Sequence, residues 1–522
     1  MSETIVKKHE IPVVDSVDVL VAGGGYAGFG AALVAARNGA RTLLVEQQSC
    51  LGGLVTLGFV ALTFSYIEGV GIELFQKLKE ENAVTGRFVD VEKTKRIMEQ
   101  MLIDAGASIL YCTTVVDAIV EDSAIKGVVI HSKSGLQAIK AKRVIDASGD
   151  GDVAALSGVP FEVGDPERNG YNQSASLVCR VGNVNLNEYM QFGRAEGKKL
   201  SEIIQDKVDE AVSSGEFPYM IDKRFNWVVI VPGRDREHAE ICLCYAHSRN
   251  CRCLDVKDLT RMYIEQRQQT KWIEAFLKNH ISGFQNCWVI DTAPLMGVRD
   301  SRRIMGEYKM TADDLLECRA FEDAIARDHH AFDAHHPTEP GHIGYIMRPD
   351  EDGKLVRKYI LPGTYREIPY RAIVPLEIDN LLVAGRCISA DFMAQSGTRL
   401  VLLCLNLGQA AGMAMAMSLQ QNITPRQVDA QDLRARLIEI GFTLHEKPVY
   451  GVSHIATGAK FKAGDFVVPG DSNKYLQAAH QVAVANPDGV VVDTDIDAEM
   501  ERRKKHYTGY TDTGGDVGSD QD

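Results

Sequence analysis

The chain is short of positive charge. Its 522 residues carry 57 Lys and Arg against 71 Asp and Glu, which gives a formal net charge of −14. Because an acidic surface repels phosphate backbones, we expect no nucleic-acid partner. The apolar fraction of 45% is ordinary for a globular protein, and the length is sufficient for two or three domains.

Targeting signals are also scarce. The first ten residues lack the apolar stretch that a secretory signal carries behind its positive charges, so the cytoplasm is the expected location. Residues 400–419 contain no charge and have the length of a membrane span. However, Asn406 and Gln409 interrupt this run, and it lacks aromatic and basic flanks. We therefore predict a buried helix and no membrane span.

Cysteine and histidine occur without the spacings typical of metal sites. An odd number of cysteines, 11, predicts reduced thiols rather than a disulfide framework. Two CxC pairs, Cys242/Cys244 and Cys251/Cys253, differ from the CxxC spacing usual for zinc. The histidine cluster of residues 328–342 contains no HExxH motif; its members are His329, His330, His335, His336 and His342. We predict no metal, and metal binding by the four cysteines stays an open alternative.

The positive signal starts at residue 18 with a strand–turn–helix–strand pattern. Asp18–Ala22 and Arg41–Glu46 predict buried strands on either side of a helix over Tyr26–Asn38. The intervening Gly23-Gly-Gly25-Tyr-Ala-Gly28 has the GxGxxG spacing. Gly23 permits a tight turn, Gly25 lets a pyrophosphate approach the backbone, and Gly28 lets the helix pack on the strand. Glu46 suits the adenosine ribose hydroxyls and disfavours NADP.

Five further segments, taken with this turn, resemble the FAD-dependent oxidoreductase family of two-dinucleotide-binding flavoproteins. They are Asp146–Ala154, Gly297–Arg303, Ile368–Arg371, Asn380–Arg386 and Ser396–Gly412. The resemblance implies FAD as the cofactor. It also implies an α/β fold in which a Rossmann-like FAD-binding domain (GR2 type) carries an inserted α+β substrate domain. No second GxGxxG lies between Gly149 and Gly385, and Cys50 stands alone, so disulfide reduction by directly docked NAD(P)H is not expected.

The resemblance and the turn geometry together predict a set of cofactor-binding residues. These are Gly23, Gly25, Tyr26, Ala27, Gly28, Glu46, Gln47, Gly52, Gly53, Ala147, Gly149, Asp152, Gly385, Arg386, Arg399 and Gly408. Gly52 and Gly53 would let a loop close over the diphosphate side. The helix near Gly408 would aim its N-terminus at the flavin pyrimidine carbonyl and stabilise negative charge there.

Domain boundaries follow the change of pattern along the chain. Residues 1–164 and 366–425 are predicted to form the FAD-binding domain, with 165–365 as the inserted substrate domain. Residues 426–484 are predicted to be a helical or mixed extension, and 485–522 an acidic tail without order. Within these segments we predict a helix over Ala312–Arg327, a hairpin over Gly127–Lys142 and a separate strand over Arg143–Ser148.

Candidate catalytic residues come from the inserted domain and the segment after it. Asp333-Ala-His335 resembles a short Asp-x-His motif of the family, and we predict His335 as the base that takes a proton from the substrate. Arg371 and Arg299 are predicted to hold an anionic or polar substrate. The expected reaction is hydride transfer from a small polar organic molecule to flavin N5. A flavin-dependent reductase of an unsaturated substrate stays open, as does a non-catalytic FAD-binding component serving an electron-accepting partner protein, and a homo-oligomer is equally compatible.

Overall fold

The computed structural model describes residues 5–195, 200–216, 227–328, 330, 332–341, 343, 347–349, 355–357 and 365–444. The predicted acidic tail 485–522 and most of the predicted extension 426–484 lie outside these ranges, as do His329 and His342.

The described residues form 19 strands, 11 α-helices and two 3₁₀ helices. The strands are β1 Val13–Ala22, β2 Thr42–Val45, β3 Val84–Thr85, β4 Phe88–Val89, β5 Ser108–Leu110, β6 Thr114–Glu121, β7 Ala124–Ser132, β8 Gly135–Asp146, β9 Phe161–Val163, β10 Ala175–Val184, β11 Trp227–Ile230, β12 Ala239–Ser248, β13 Trp288–Thr292, β14 Arg302–Ile304, β15 Ala324–Asp328, β16 Met347–Pro349, β17 Leu355–Arg357, β18 Arg366–Pro369 and β19 Leu381–Val383. The α-helices are α1 Tyr26–Arg37, α2 Val70–Glu80, α3 Val91–Asp104, α4 Asp152–Leu156, α5 Leu186–Ala195, α6 Leu200–Ser213, α7 Val256–His280, α8 Ala312–Leu316, α9 Phe392–Thr398, α10 Val401–Gln420 and α11 Ala430–Glu439. The 3₁₀ helices are Tyr370–Ala372 and Pro425–Gln427.

A seven-stranded sheet carries the N-terminal part of the chain. Its order is β5-β2-β1-β8-β7-β6, with β19 also paired to β8. The strands β5, β2, β1, β8 and β19 run parallel, whereas β7 and β6 are antiparallel additions. Val19, Leu20 and Val21 of β1 are fully buried, as expected where a parallel sheet is covered on both faces. The sheet confirms the predicted Rossmann-like α/β fold.

One strand replaces two predicted ones in this sheet. The second strand of the predicted hairpin, up to Lys142, and the predicted strand from Arg143 both belong to β8, which ends at Asp146. From Ala138, beside Val13, to Asp146, beside Ala22, this strand pairs with β1. On its other edge the partner changes from β7 to β19, which pairs Leu381 with Val144. Because the change of partner depends on distant parts of the chain, the local pattern does not reveal that the strand is continuous.

A second sheet is formed by four strands that lie between Ala175 and Thr292. It is antiparallel, with the order β11-β12-β10-β13. The long helix α7 packs on it, and Phe276, Phe284 and Ile241 belong to a separate buried apolar cluster there. The arrangement agrees with the predicted α+β character of residues 165–365.

The predicted helix over Ala312–Arg327 is largely wrong. Only α8, Ala312–Leu316, forms; Thr311 starts it with a capping box, and Cys318 takes a left-handed conformation (φ 48°) just after its end. The chain then enters β15, which pairs antiparallel with β18 more than 30 residues later. Pairing with this distant strand overrides the local helical pattern.

The helix α10 packs along α1. A Cβ placed on Gly408 would lie 1.9 Å from the Ala27 carbonyl oxygen, and one on Gly412 would lie 2.3 Å from that of Ala31. The backbones of α1 and α10 therefore touch. Among the described helices, α10 alone is long and apolar enough to cross a membrane. However, 94% of its most apolar 18-residue stretch is buried inside the protein. The predicted buried helix is confirmed.

Candidate active site

The glycine turn after β1 is held by two contacts that exclude side chains. Gly23 has a φ of 99°, and a Cβ on it would lie 2.4 Å from the Ala147 carbonyl oxygen. A Cβ on Gly28 would lie 1.7 Å from the Gly23 carbonyl oxygen. The turn and the first turn of α1 therefore fit together only with glycine at both positions.

Gly25 differs from Gly23 and Gly28 because a side chain added to it would point into open space. Its backbone is extended (φ −65°, ψ −178°), and a Cβ on it would meet nothing nearer than Gly53 Cα at 4.0 Å. Gly25 also caps α1 without any side-chain hydrogen bond to the helix N-terminus. An uncapped helix start beside open space is a binding site for an anion such as a diphosphate. The hydroxyl of Tyr26, the first residue of α1, is buried and has no hydrogen-bond partner within the described residues.

Glu46, just after the end of β2, stabilises the turn through hydrogen bonds to backbone amides. Its carboxylate accepts a hydrogen bond from the Gly24 amide at 2.5 Å and another from the Gln48 amide at 2.8 Å. Burial raises the pKa of Glu46, although these hydrogen bonds oppose the shift. Gln47 is exposed beside it. The predicted ribose-binding carboxylate therefore lies at the turn and also fixes its shape.

The Leu51–Gly53 loop lies directly against the turn, as predicted. The Gly52 amide donates to the Gly24 carbonyl at 2.8 Å, and Gly52 forms an isolated parallel bridge with Gly25. A Cβ on Gly53 would come within 3.0 Å of Gly25 Cα. The loop therefore forms one wall of the open space above Gly25.

Two further predicted cofactor segments meet where β8 and β19 end. Ala147 donates its amide to the Ala22 carbonyl at 2.8 Å, which joins the segment after β8 to the glycine turn. Arg386, after β19, donates to the Asp150 carboxylate at 2.7 Å, and its guanidinium lies beside Gly149. Gly385, at a φ of 94°, faces Ala27 of α1. The carboxyl ends of these parallel strands thus gather at one edge, where ligands of α/β folds bind.

Asp152 begins α4 at the same edge. Its carboxylate pairs with Arg302 at 2.8 Å. Burial, together with the negative charges of Asp150 and Asp146, raises the pKa of Asp152 to about 6. This carboxyl group therefore keeps its proton to higher pH than an ordinary aspartate does.

A second group of polar residues surrounds His335. The Arg399 guanidinium donates to the Asp333 carboxylate at 2.9 Å and to the Asp333 carbonyl at 2.7 Å. The other oxygen of that carboxylate lies 3.3 Å from His335 Nε2. The His335 ring is buried and stacks on the buried ring of His247, with the ring centroids 5.8 Å apart. The Asp-x-His motif therefore forms a linked Arg399–Asp333–His335 unit.

Arg299 is linked to His335 through the backbone of residues 173 and 174. Its guanidinium donates to the Ser174 carbonyl at 2.6 Å, and its own carbonyl accepts from Gln395 at 3.0 Å. Gln173, next to Ser174, accepts the His335 amide at 3.1 Å. Burial, and to a smaller extent the positive charge of Arg299, lowers the pKa of Arg399. The structure thus brings His335, Arg299 and Arg399 together.

Arg366 is a buried cation that the sequence analysis missed. Its guanidinium donates to Asp328 at 2.8 Å and to the Gly397 carbonyl at 2.9 Å, while Nε and Nη1 have no hydrogen-bond partner among the described residues. Gly397 leaves room for it, since a Cβ there would lie 2.9 Å from Arg366 Nη1. No local motif marks Arg366, His247 or Gln173, because each reaches the group only through tertiary packing.

Two predicted site residues lie elsewhere than expected. The Arg371 guanidinium pairs with Asp323 at 2.9 Å, lies over the Tyr308 ring and is 48% exposed. This placement gives no support to a role for Arg371 in binding substrate beside His335. Gly408 lies inside α10 against Ala27, so helix packing accounts for its missing side chain. The N-terminus of α10 is at Val401, next to Arg399.

The cysteines of the two CxC pairs are all buried with free thiols. Cys242 and Cys244 lie on β12, whereas Cys251 and Cys253 lie in the turn that follows it. Among the residues whose placement is described, no group of three or more His, Cys, Asp or Glu side chains is arranged to hold a metal ion.

Comparison with known protein families gives a match that spans most of the chain. The model of the family described as FAD dependent oxidoreductase matches residues 18–437. The thiamine thiazole synthase of Methanococcus aeolicus is 33% identical over 150 residues, which are 26% of this chain and 57% of that protein. The thiamine thiazole synthase of Sulfolobus acidocaldarius is 30% identical over 180 residues, 31% of this chain and 68% of that protein. The chain thus matches little more than half the length of the first of these relatives.

Among solved structures, the chain is similar to a geranylgeranyl bacteriochlorophyll reductase-like protein from Thermoplasma acidophilum. The identity is 12% and the TM-score 0.42, over 91% of this chain and 99% of that one.

Proposed function

Because this chain belongs to the family of FAD-dependent oxidoreductases, with FAD as its cofactor, we propose that it oxidises a small polar or anionic organic molecule. Bound FAD supplies a hydride acceptor at N5. The protein must then bind the substrate, exclude water and accept a proton. The residues around His335 are suited to these three tasks.

The residues at the glycine turn are suited to hold FAD. The amides at the start of α1 and the open space above Gly25 suit its diphosphate, and Glu46 suits the ribose of its adenosine half. Gly149 and Arg386 at the ends of β8 and β19 lie on the same sheet edge. The Arg386 guanidinium is paired with Asp150 there, and its remaining N–H groups would be donors for the cofactor.

The Asp333–His335 contact is the observation that carries the proposal. The Asp333 carboxylate only accepts hydrogen bonds, so a hydrogen bond across its 3.3 Å contact with His335 Nε2 would place a proton on that nitrogen. Neutral imidazole then has its lone pair on Nδ1, which makes Nδ1 the basic atom. A histidine fixed in one tautomer by a carboxylate is a common general base near neutral pH. We therefore assign His335 the task of taking the substrate O–H or N–H proton.

Arg299 is the residue best suited to bind an anionic group of the substrate. Within the described residues its guanidinium donates to a neutral carbonyl, that of Ser174, so this contact does not neutralise its charge. Arg399 is already paired with Asp333, which makes it a positioning residue for the base. A carboxylate held by a buried arginine would be fixed in orientation, because guanidinium binds carboxylates in a bidentate manner.

Anaerobic mixing of the purified protein with hydroxylated or aminated organic acids tests this assignment through loss of oxidised-flavin absorbance. Once a reducing substrate is found, His335→Gln should slow flavin reduction by about 10²–10⁴-fold, as loss of a general base does. Arg371→Ala, on the exposed surface, is the matched control and should leave the rate unchanged. Equal rates for His335→Gln and the unsubstituted protein would refute the assignment of the base.

A reductase acting on an unsaturated substrate is the second candidate. The two arginines beside His335, Arg299 and Arg399, favour it, because a guanidinium next to the reacting atoms would be the proton donor that such a reaction needs. Anaerobic, dithionite-reduced protein mixed with enoates distinguishes the two. Reoxidation by an enoate, without any reduction by hydroxylated or aminated acids, would establish the reductase and overturn the oxidation proposed above.

A further inference from the structure

Two buried glutamine side chains connect the cofactor edge with His335. Gln395 belongs to α9 and Gln173 to the segment before β10, and both are fully buried. The Gln395 side-chain NH₂ group donates to the Arg299 carbonyl at 3.0 Å and to the Arg386 carbonyl at 3.4 Å. The Gln395 side-chain oxygen accepts the Gln173 NH₂ group at 3.2 Å, and the Gln173 oxygen accepts the His335 backbone amide at 3.1 Å. These contacts form one continuous chain of hydrogen bonds.

The direction of this chain is fixed at both of its ends. The carbonyls of Arg299 and Arg386 can only accept hydrogen bonds. Gln395 must therefore direct its NH₂ group toward them and its oxygen toward Gln173. At the other end the His335 amide can only donate, so Gln173 must direct its oxygen toward it. Rotation of either side-chain amide by half a turn would bring two donors or two acceptors together in a buried place.

The backbone of Gln173 is held to the segment that carries Arg299. Its amide donates to the carboxylate of buried Asp300 at 2.5 Å. The carbonyl of the next residue, Ser174, accepts the Arg299 guanidinium at 2.6 Å. Arg299, proposed to bind the substrate, and His335, the proposed base, are thus connected through Gln173 by both its backbone and its side chain.

Gln266 of α7 provides an internal comparison, because it is a fully buried glutamine with a different set of partners. Its side chain accepts the Leu177 amide at 2.5 Å and donates to the Ala175 carbonyl at 3.2 Å and the Ser248 hydroxyl at 3.0 Å. These partners belong to β10 and β12, so Gln266 joins a helix to the sheet that it covers. Gln173 instead joins segments that carry proposed site residues.

We propose that Gln173 and Gln395 are positioning residues, which hold His335 in a fixed place relative to Arg299 and the cofactor edge. This inference rests on the proposed function, in which His335 takes the substrate proton. The base and the arginine that orients the substrate must keep a constant separation, because a displacement of about 1 Å can cost about 100-fold in rate. A pair of neutral amides supplies this constraint without placing a further charge beside the base.

Replacement of Gln173 by glutamate tests the direction of the chain through the pH dependence of flavin reduction. A protonated carboxyl accepts through one oxygen and donates through the other, as the amide does, whereas an ionised carboxylate only accepts. Burial beside Asp300 should make the introduced carboxyl hold its proton to higher pH than an exposed glutamate does, although Arg299 opposes this effect. While it is protonated, Gln173→Glu should reduce flavin as fast as the unsubstituted protein at the same pH. Once it is ionised, the rate should be about 10- to 100-fold lower, because the carboxylate would face the Gln395 oxygen.

Two further variants complete this test. Gln395→Glu should show the same pH dependence, because its carboxylate would face two backbone carbonyls. Gln266→Glu is the matched control, and its rate relative to the unsubstituted protein should not change with pH. A relative rate of Gln173→Glu that does not change with pH, whether it stays at one or is low throughout, would overturn the inference. The same pH dependence in Gln266→Glu would also overturn it.

Amide hydrogen exchange of the FAD-loaded protein gives a second readout that needs no substrate. The His335 amide should exchange slowly in the unsubstituted protein, because Gln173 accepts its hydrogen bond. In Gln173→Met, whose thioether is at most a weak acceptor, exchange should be about tenfold faster or more. In Gln173→Glu it should stay slow, because a carboxylate still accepts. Fast exchange in the unsubstituted protein would overturn the inference even if no variant folds.

The failure of this inference is distinguishable from the failure of the proposed function. If His335→Gln reduces flavin as fast as the unsubstituted protein, His335 is not the base and both fall together. If His335→Gln is slow while the relative rate of Gln173→Glu is independent of pH, only the positioning role of the two glutamines is wrong.

Discussion

Substitution of Gly25 by alanine separates cofactor binding from folding. The backbone of Gly25 is extended and available to any residue, and the added methyl group would meet nothing nearer than 4.0 Å. The apoprotein should therefore fold unchanged. The reduced freedom of the unfolded chain, about 0.4–1 kcal/mol in favour of alanine, should be offset by the poorer capping of α1 by alanine at this N-cap position. The methyl group, however, would occupy the open space beside the start of α1 where a diphosphate would lie.

The expected loss of FAD affinity can be estimated from the amides that the methyl group would block. A hydrogen bond from an amide to a charged group contributes about 1.5–3 kcal/mol. Loss of one such bond corresponds to about 10- to 100-fold weaker binding, since each 1.4 kcal/mol is a factor of ten. Gly28→Ala provides the contrast, because its Cβ would lie 1.7 Å from the Gly23 carbonyl oxygen. That variant should lose about 1–3 kcal/mol of stability even without cofactor.

Two measurements on the same apoprotein check this reasoning. Urea unfolding gives the stability of the fold, and titration with FAD followed by flavin fluorescence gives the affinity. Gly25→Ala should change only the second measurement, whereas Gly28→Ala should change both. If Gly25→Ala binds FAD as tightly as the unsubstituted protein, the diphosphate does not lie at this turn and the assignment of the cofactor site is wrong.

Three further predictions concern other parts of the site. The pKa of Asp152 is raised from 3.8 to about 6, so this residue binds its proton more tightly in the folded than in the unfolded protein. The free energy of unfolding should therefore fall as the pH rises from 3.8 to about 6. In urea unfolding, Asp152→Asn should remove this part of the pH dependence; an identical pH profile would contradict it. Gly408→Ala should lower the free energy of unfolding by about 1–3 kcal/mol, because its Cβ would overlap the Ala27 carbonyl; an unchanged urea midpoint would refute this. In stopped-flow assays Arg399→Ala should slow flavin reduction by at least about tenfold. Arg371→Ala, which removes the exposed pair with Asp323, should lower the free energy of unfolding by at most about 1 kcal/mol and leave the rate of flavin reduction unchanged. Equal effects of the two variants on the rate would count against the Arg399–Asp333–His335 unit.

The geometry around the glycine turn could be predicted from the sequence, because its requirements are local. Gly23, Gly25 and Gly28 are set by the steric limits of one turn, and Glu46 by the length of one strand–helix–strand unit. The structure places Gly52 and Gly53 against that turn, as the pattern indicated. Local backbone chemistry is visible in a single sequence because only a few neighbouring residues take part.

The substrate half was predicted less completely, because it is assembled from distant segments. Arg366 reaches Asp328 through the pairing of β15 with β18, and that pairing was obscured by a local helical pattern. His247 meets His335 by packing of the inserted sheet on the segment after β15. Arg371 carries the expected chemistry, yet it lies on the exposed surface beside Asp323. Residue type alone does not reveal which of several arginines is buried at the site.

The contact between α1 and α10 has a consequence for how the chain matures. Gly30 of α1 and Gly408 of α10 permit direct backbone contact, so the helix that begins the cofactor turn is supported by a segment made almost 400 residues later. During synthesis on the ribosome, the apolar face of α1 that packs on α10 stays exposed to solvent until α10 has been made. We therefore expect nascent chains that end before α10 to be bound by chaperones and to be unable to retain FAD.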